Sequence, residues 1–304
     1  MTDMLIEDNA EAAAKPIKGR SLWEDARRRL MRNPAAVVSL YVMAILVLIA
    51  AFGPMLWVHP VDAIFRERVG IAPTMENWHL LGTDTEGRDM VARLMFGLRI
   101  SLLVGLAATL VALTIGVAYG AIAGFFGGVV DDIMMRVVDV FYAIPFIFFV
   151  IVLMTVITTP DPFLKLMLIF MAIGAVEWLT MARIVRGQTI SLRKKEFVEA
   201  ARASGAKPIE IVFRHIVPNV LGPVVVFATL NIPVIILAES FLSFIGLGVQ
   251  EPLTSLGSLI SAGAGQMINA PWMLISPALT MLVTLLALNF LGDGLRDALD
   301  PKDR

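Results

Sequence analysis

Six long stretches of this chain carry little or no charge, and charged clusters set them apart. A helix that crosses a bilayer needs about 20 mostly apolar residues. No charged residue lies between Asn33 and Val61 or between Ile100 and Val130, which predicts spans over 35–57 and 101–125. A third span, 137–158, carries Asp139 at one end and Pro145 inside, and a fourth, 164–182, is interrupted by Lys165 and Glu177. The fifth, 216–245, holds Pro218, Pro223, Pro233 and Glu239. The uncharged run from Pro252 to Gly292 is long enough for a sixth span over 272–291, preceded by a surface or re-entrant segment. The expected fold class is an all-α integral membrane protein with six transmembrane helices.

Between the fourth and fifth spans lies a charged amphipathic island. Read as a helix, it places Phe197, Ala200, Ala201 and Ser204 on one face at i, i+3, i+4 and i+7, while Arg193, Lys194, Lys195, Glu196, Glu199 and Arg202 occupy the rest. Gly205 suits the left-handed position that ends a helix. Pro208 suits the first position of the next, where no amide donor is needed. The expected product is a short helix, a turn and a second helix leading into the membrane through Pro218. A helix with small residues on one face fits a partner's groove.

Two other polar segments have a local reading. Ser21-Leu22-Trp23-Glu24 forms a capping-box pattern. The helix it opens sets Leu22, Trp23, Ala26 and Leu30 against Arg27, Arg28, Arg29 and Arg32, and stops at Asn33-Pro34. That pattern suits an elbow helix lying on an anionic leaflet. The stretch from Gly82 to Asp89 is rich in oxygen donors but lacks the spacing and closing Glu of a calcium loop. A helix start fits better, because Met90, Val91, Leu94, Met95 and Leu98 then form an apolar stripe. Within the second span, Ala108, Ala112, Gly116, Gly120 and Gly124 recur at every fourth position, a pattern for close helix packing in lipid.

Apolar residues make up 58% of the chain and charged residues 17%, so the uneven distribution of charge matters more than the net value of −1. Without cysteine, disulfides and thiolate metal sites are excluded. His59, His79 and His215 are scattered and offer no metal-ligand spacing. The first 34 residues do not resemble a cleaved signal peptide. With the N-terminus inside, nineteen Lys and Arg fall on the cytoplasmic side and six outside, which puts both termini and the 183–215 loop in the cytoplasm. The chain then divides into a cytoplasmic tail with its elbow helix (1–34), a first span with an outer loop (35–99), and a transmembrane domain (100–304).

Asp139, Glu177 and Glu239 lie in or beside predicted spans. An ionisable side chain at a bilayer centre costs about 2.5–3.5 kcal/mol. Each therefore lines a translocation path or an interface, or sits at the membrane edge. The chain has no phosphate loop, since no lysine follows a glycine, and no convergent nucleophile, base or metal set marks an enzyme. A secondary transporter driven through the three acidic residues is the rival class. It often shows repeated halves, none is visible here, and it leaves the island without a purpose.

The island resembles the cytoplasmic loop of permease subunits in binding-protein-dependent ABC importers, whose pattern is E-A-A-x3-G-x9-I-x-L-P. Glu199, Ala200, Ala201, Gly205 and Pro218 match it, with His215 at the Ile position and Val217 at the Leu position. Gly82-Thr83-Asp84 with Gly87-Arg88-Asp89, Ala182 to Gln188, Arg214 to Asn219, Glu239 to Gly248 and Gly292 to Pro301 resemble the peptide and nickel branch of that family, nearest to its oligopeptide members. The resemblance implies the type I importer permease fold and no enzymatic activity in this chain. It implies a homologous second permease subunit in the inner membrane, two ATPase subunits that hold ATP and Mg, and a periplasmic peptide-binding protein. Peptide is the implied substrate, with dipeptide or nickel transport as the sister alternatives. Membrane lipid is a partner, nucleic acid is not, and no cofactor is bound by this chain. Phe197, Glu199, Ala200, Ala201, Arg202, Gly205 and Pro218 become the implied ATPase-coupling residues.

Overall fold

The computed structural model describes residues 22–157 and 159–299. Among them every regular element is helical, apart from an isolated bridge between Thr83 and Asp89. The elements are α1 (Leu22–Leu30), α2 (Pro34–Leu56), α3 (Met90–Phe126), α4 (Gly128–Tyr142), α5 (Phe146–Val156), α6 (Pro162–Leu192), α7 (Glu196–Ala203), α8 (Pro208–Ile211), α9 (Val217–Phe244), α10 (Leu256–Ala264) and α11 (Trp272–Leu299). Five helices are long and apolar enough to cross a membrane, and a sixth crossing follows if α4 and α5 count as one span.

Capping residues set several boundaries. Asn33 separates α1 from α2, its side chain accepting from the amides of Ala35 and Ala36 at 3.1 and 3.3 Å while Pro34 occupies the first turn. Asp89 opens α3 by accepting from the Ala92 amide at 2.8 Å. Asp161 does the same for α6 through Phe163 at 2.9 Å. The capping box expected at Ser21 lies outside the described residues.

The third span differs from a single straight crossing. α4 and α5 meet at a bend of 78°, and Pro145 stands at the N-cap of α5. Proline lacks the amide donor and pushes the preceding residue away from helical geometry, so the helix breaks there. The fourth span is longer than its apolar core because the charges beyond 182 are paired, as described below. The segment before the last span is the short helix α10, opened by a reciprocal cap between Ser255 and Ser258.

The small-residue stripe of α3 packs mainly against α6. A Cβ added to Gly116 would approach the Met181 side chain at 2.6 Å, and one on Gly124 would meet Arg186 O at 2.7 Å. At Gly120 it would run into the Ala182 carbonyl. Backbone thus touches backbone along this face, where dispersion replaces a hydrophobic driving force. One apolar core gathers Ile100, Val104, Val150, Ile169, Ile173, Ile235 and Leu242 from α3, α5, α6 and α9. A second fills the other end of the bundle.

Candidate functional site

That second core contains the island. Val198 of α7 is fully buried among Phe125, Met181, Val185, Ile211, Ile216 and Val220, which come from α3, α6, α8, α9 and the turn between the last two. Burying such a side chain contributes about 1.5–3 kcal/mol. The island is therefore fixed to the bundle before any partner arrives.

The orientation of α7 corrects one detail of the helical reading. Phe197, Glu199, Ala200, Arg202 and Ser204 are exposed, but Ala201 is half-buried and turns toward the core beside Val198. The outward face available to a partner is built on Phe197, Ala200 and Ser204. The Val198 seat was not legible because a single valine among charges has no period.

The end of α7 is a complete Schellman motif. The Ala206 amide donates to Ala201 O at 3.1 Å and the Gly205 amide to Arg202 O at 3.0 Å, with Gly205 at φ +80°. This geometry requires glycine on conformational grounds; the space around its α-carbon is open. Pro208 then opens α8 as expected. Between α8 and α9 the backbone widens into a π-helical turn over Val212–Ile216, closed by the Val217 amide on Val212 O. Pro218 follows directly. Its missing amide and its ring exclude the ordinary bond to the residue four back, and the wider turn absorbs that. The Asn219 side chain donates to His215 O at 2.6 Å.

Charge fastens this element to the ends of the long helices. Arg193 Nη1 donates to the carbonyls of Gly124 and Phe125 at 3.0 and 3.3 Å, placing a cation on the negative end of α3. The Arg202 guanidinium lies 5.3 Å from the centre of the Phe125 ring. Arg186 of α6 holds Asp131 of α4 through bonds of 2.5 and 2.6 Å. The helical reading set Arg193 on the surface of the island helix, whereas it caps α6 and reaches α3; the Arg186–Asp131 pair has no regular spacing to reveal it.

The three acidic residues of the spans do not converge. Asp139 pairs with Arg183 at 2.7 Å on an exposed part of the α4–α6 surface, with Arg183 stacked 4.3 Å from the Tyr142 ring. Glu177 accepts from the Asn231 side chain at 2.9 Å and ties α6 to α9. Glu239 is fully buried among hydroxyls, accepting from Ser243 at 2.7 Å and Ser101 at 3.3 Å. Ser101 in turn accepts from the Leu256 amide at 3.1 Å, so Glu239 knots α3, α9 and α10 together.

At the opposite end, the Asp84 carboxylate accepts from the amides of Glu86 and Arg88 and from Arg88 Nε, each at 2.8 Å, and also from Arg93. Its oxygens are fully engaged, which leaves nothing for calcium. Arg88 reaches across to Glu251 at 2.7 Å. Burial pushes Asp84 up, but the hydrogen bonds of Arg88 and the nearby Arg93 hold it below the ordinary value. Arg88 itself is stabilised in its charged form by Glu251 and Asp84 against burial.

These elements make a polytopic helical bundle that presents a preassembled, charged helical element at one end. Comparison specifies the family. Residues 116–304 match the model of the binding-protein-dependent transport system inner membrane component, and residues 21–73 match that of the N-terminal TM domain of oligopeptide transport permease C. The chain belongs to the family of binding-protein-dependent transport system inner membrane components, and is thus a transport permease rather than an enzyme. It is 54% identical to the oligopeptide transport system permease protein OppC of Escherichia coli K12, covering 99% of this chain and 100% of that protein. It is 51% identical to OppC of Haemophilus influenzae, over 95% of this chain and 91% of that one. A chain of the inward-facing MetNI methionine ABC transporter shares the fold at 20% identity with a TM-score of 0.53, covering 69% of this chain and 98% of that one.

Proposed function

We propose that this chain is a permease subunit of an ATP-driven importer that carries oligopeptides across the inner membrane. The carrying observation is the island itself: Val198 locks α7 into the bundle, while Phe197, Glu199, Ala200 and Arg202 face outward, Gly205 ends α7 and Pro218 follows the wide turn that leads into α9. Near-full-length similarity to oligopeptide permeases supplies the substrate class. The α7 helix seats in a cleft of one of two ATPase subunits, which hold ATP and Mg. A homologous second permease completes the membrane path, and a periplasmic binding protein delivers peptide. The excess of Lys and Arg in the tail, the 183–215 loop and the C-terminal end supports a cytoplasmic position for the island and both termini. Movement of α7 on ATP binding swings α3 and α6, to which Arg193 and the Val198 core attach it, between inward-open and outward-open states. Asp139 faces the translocation path or the second permease; Glu177 and Glu239 hold the bundle together.

Uptake of labelled di-, tri- and pentapeptides, with nickel alongside, in cells with and without this gene tests the proposal. Loss of ATP-dependent uptake of the longer peptides is expected. Loss of dipeptide or nickel uptake alone would move the chain to a sister system. Uptake that survives ATP depletion but collapses with the proton gradient would replace the importer by a secondary transporter.

A further inference from the structure

The loop between α2 and α3 closes over side chains that the coupling element does not use. His79 is fully buried, and its Nδ1 lies 2.9 Å from Oδ2 of the equally buried Asp89. A carboxylate oxygen accepts, so Nδ1 carries a proton, and the tautomer that this bond selects has its lone pair at Nε2. That Nε2 is shut off from solvent and has no hydrogen-bond partner among the described residues. The His59 ring stacks on the His79 ring with centroids 4.6 Å apart and 19° between planes. His59 Nε2 donates to Asn77 O at 2.6 Å, which leaves the lone pair of the neutral ring on Nδ1. Phe65 covers both rings edge-on at 5.0 and 5.2 Å. One potential ligand atom from each of His59, His79 and Asp89 lies within 4.8 Å of the other two.

We infer that His59 and His79 form a site for a divalent first-row transition-metal ion of the zinc type, with His79 Nε2 and His59 Nδ1 as ligands and Asp89 fixing the ligating tautomer of His79. Two neutral imidazoles without a thiolate suit zinc and its neighbours, whereas calcium and magnesium demand oxygen. A carboxylate on the far nitrogen of a histidine is the arrangement that orients metal-binding rings and raises their basicity. Bonds of about 2.0–2.1 Å to one ion require the half-buried His59 ring to turn off the stack. His79 stays where Asp89 holds it, and the outward turn of His59 uncovers Nε2 of His79 to water, which completes the coordination. The ion is resident, not cargo. It joins the start of the loop to the first turn of α3, since Asp89 also accepts from Trp57 Nε1 at 2.9 Å and from the Ala92 amide at 2.8 Å.

The test uses the assembled transporter in lipid nanodiscs, stripped with a chelator, loaded with Zn2+, passed through gel filtration and assayed by elemental analysis. Wild type should retain about one more zinc per complex than His59→Ala, the occupancy expected of a single site. His79→Gln should match His59→Ala. His215→Ala, which alters the histidine at the other end of the bundle, should retain the wild-type zinc. Gel filtration shows whether each variant assembles, and His59→Gln replaces His59→Ala if that variant does not. Equal zinc in wild type and in an assembled His59 variant would overturn the site.

Discussion

Arg193 closes the end of the longest apolar helix by donating to the carbonyl oxygen of Gly124 at 3.0 Å. The residue lies between α6 and α7, so one side chain joins both to α3. Removing it leaves carbonyls at the α3 terminus unpaired and withdraws a cation from its dipole, together worth about 1–2 kcal/mol. Arg193→Ala should insert normally and still bind the ATPase subunits while peptide uptake falls several-fold. Uptake and pull-down of the ATPases from the same membranes check this; unchanged uptake would remove Arg193 from the coupling path.

Gly205 occupies a left-handed backbone position that costs other residues about 1–2 kcal/mol. Gly205→Ala should reduce uptake modestly. Gly205→Trp adds bulk to the docking face and should abolish uptake with insertion intact and ATP hydrolysis continuing uncoupled. Normal transport by the tryptophan variant would sink the assignment of α7.

Glu239 distinguishes a structural knot from a proton relay. Glu239→Gln keeps one oxygen acceptor for Ser243 and turns an amide N–H toward the Ser101 hydroxyl oxygen, which can accept, and should leave uptake and thermal stability close to wild type. Glu239→Leu strands those hydroxyls in a buried site, at about 1–3 kcal/mol each, and should lower the melting temperature in detergent. If the glutamine variant were as stable as wild type yet inactive, protonation of Glu239 would belong to the transport cycle.

The cluster at the other end predicts a pH dependence. Asp84 lies below its ordinary value of 3.8 because Arg88 and Arg93 outweigh burial. Glu251 lies below 4.5, chiefly through its hydrogen bond from Arg88. A carboxylate with a depressed folded value stabilises the fold fully above its unfolded value and loses that contribution as pH falls through the folded one. Protection against hydrogen exchange in the 65–89 loop, taken relative to the intrinsic amide rate at each pH, should therefore be flat from neutrality down to about pH 4.5 and fall below that. Glu251→Gln should speed exchange at neutral pH and weaken the acid response. Equal protection at pH 3 and pH 7 would contradict the ion cluster as the anchor of the loop.

Features governed by neighbours in sequence were readable from the chain. Asn33 and Asp89 act as caps because a short acceptor followed by an apolar stripe has few other uses. The stripe from Ala108 to Gly124 announced a close helix contact, although nothing in it named α6 as the main partner. The far end of α6 was underestimated because an apolar window stops at the first charge. Arg183 and Arg186 remain helical by finding carboxylates far away in the chain, at Asp139 and Asp131. The bend at Pro145 had its cause in plain view, but a proline inside a span permits either a kink or a break. His59 and His79 are separated by twenty positions of loop, and only the fold stacks them.

With 37 residues, α3 is about 55 Å long, against about 30 Å for a bilayer's hydrocarbon core. It begins at the Asp89 cap beside the Asp84–Arg93 ion pair and ends under Arg193. The same rod is therefore longer than the hydrocarbon core, and a tilt of about 10° about its middle displaces each tip by about 5 Å. Lipid needs only to let the rod lean, so a push on one surface of the membrane reappears on the other with its direction reversed.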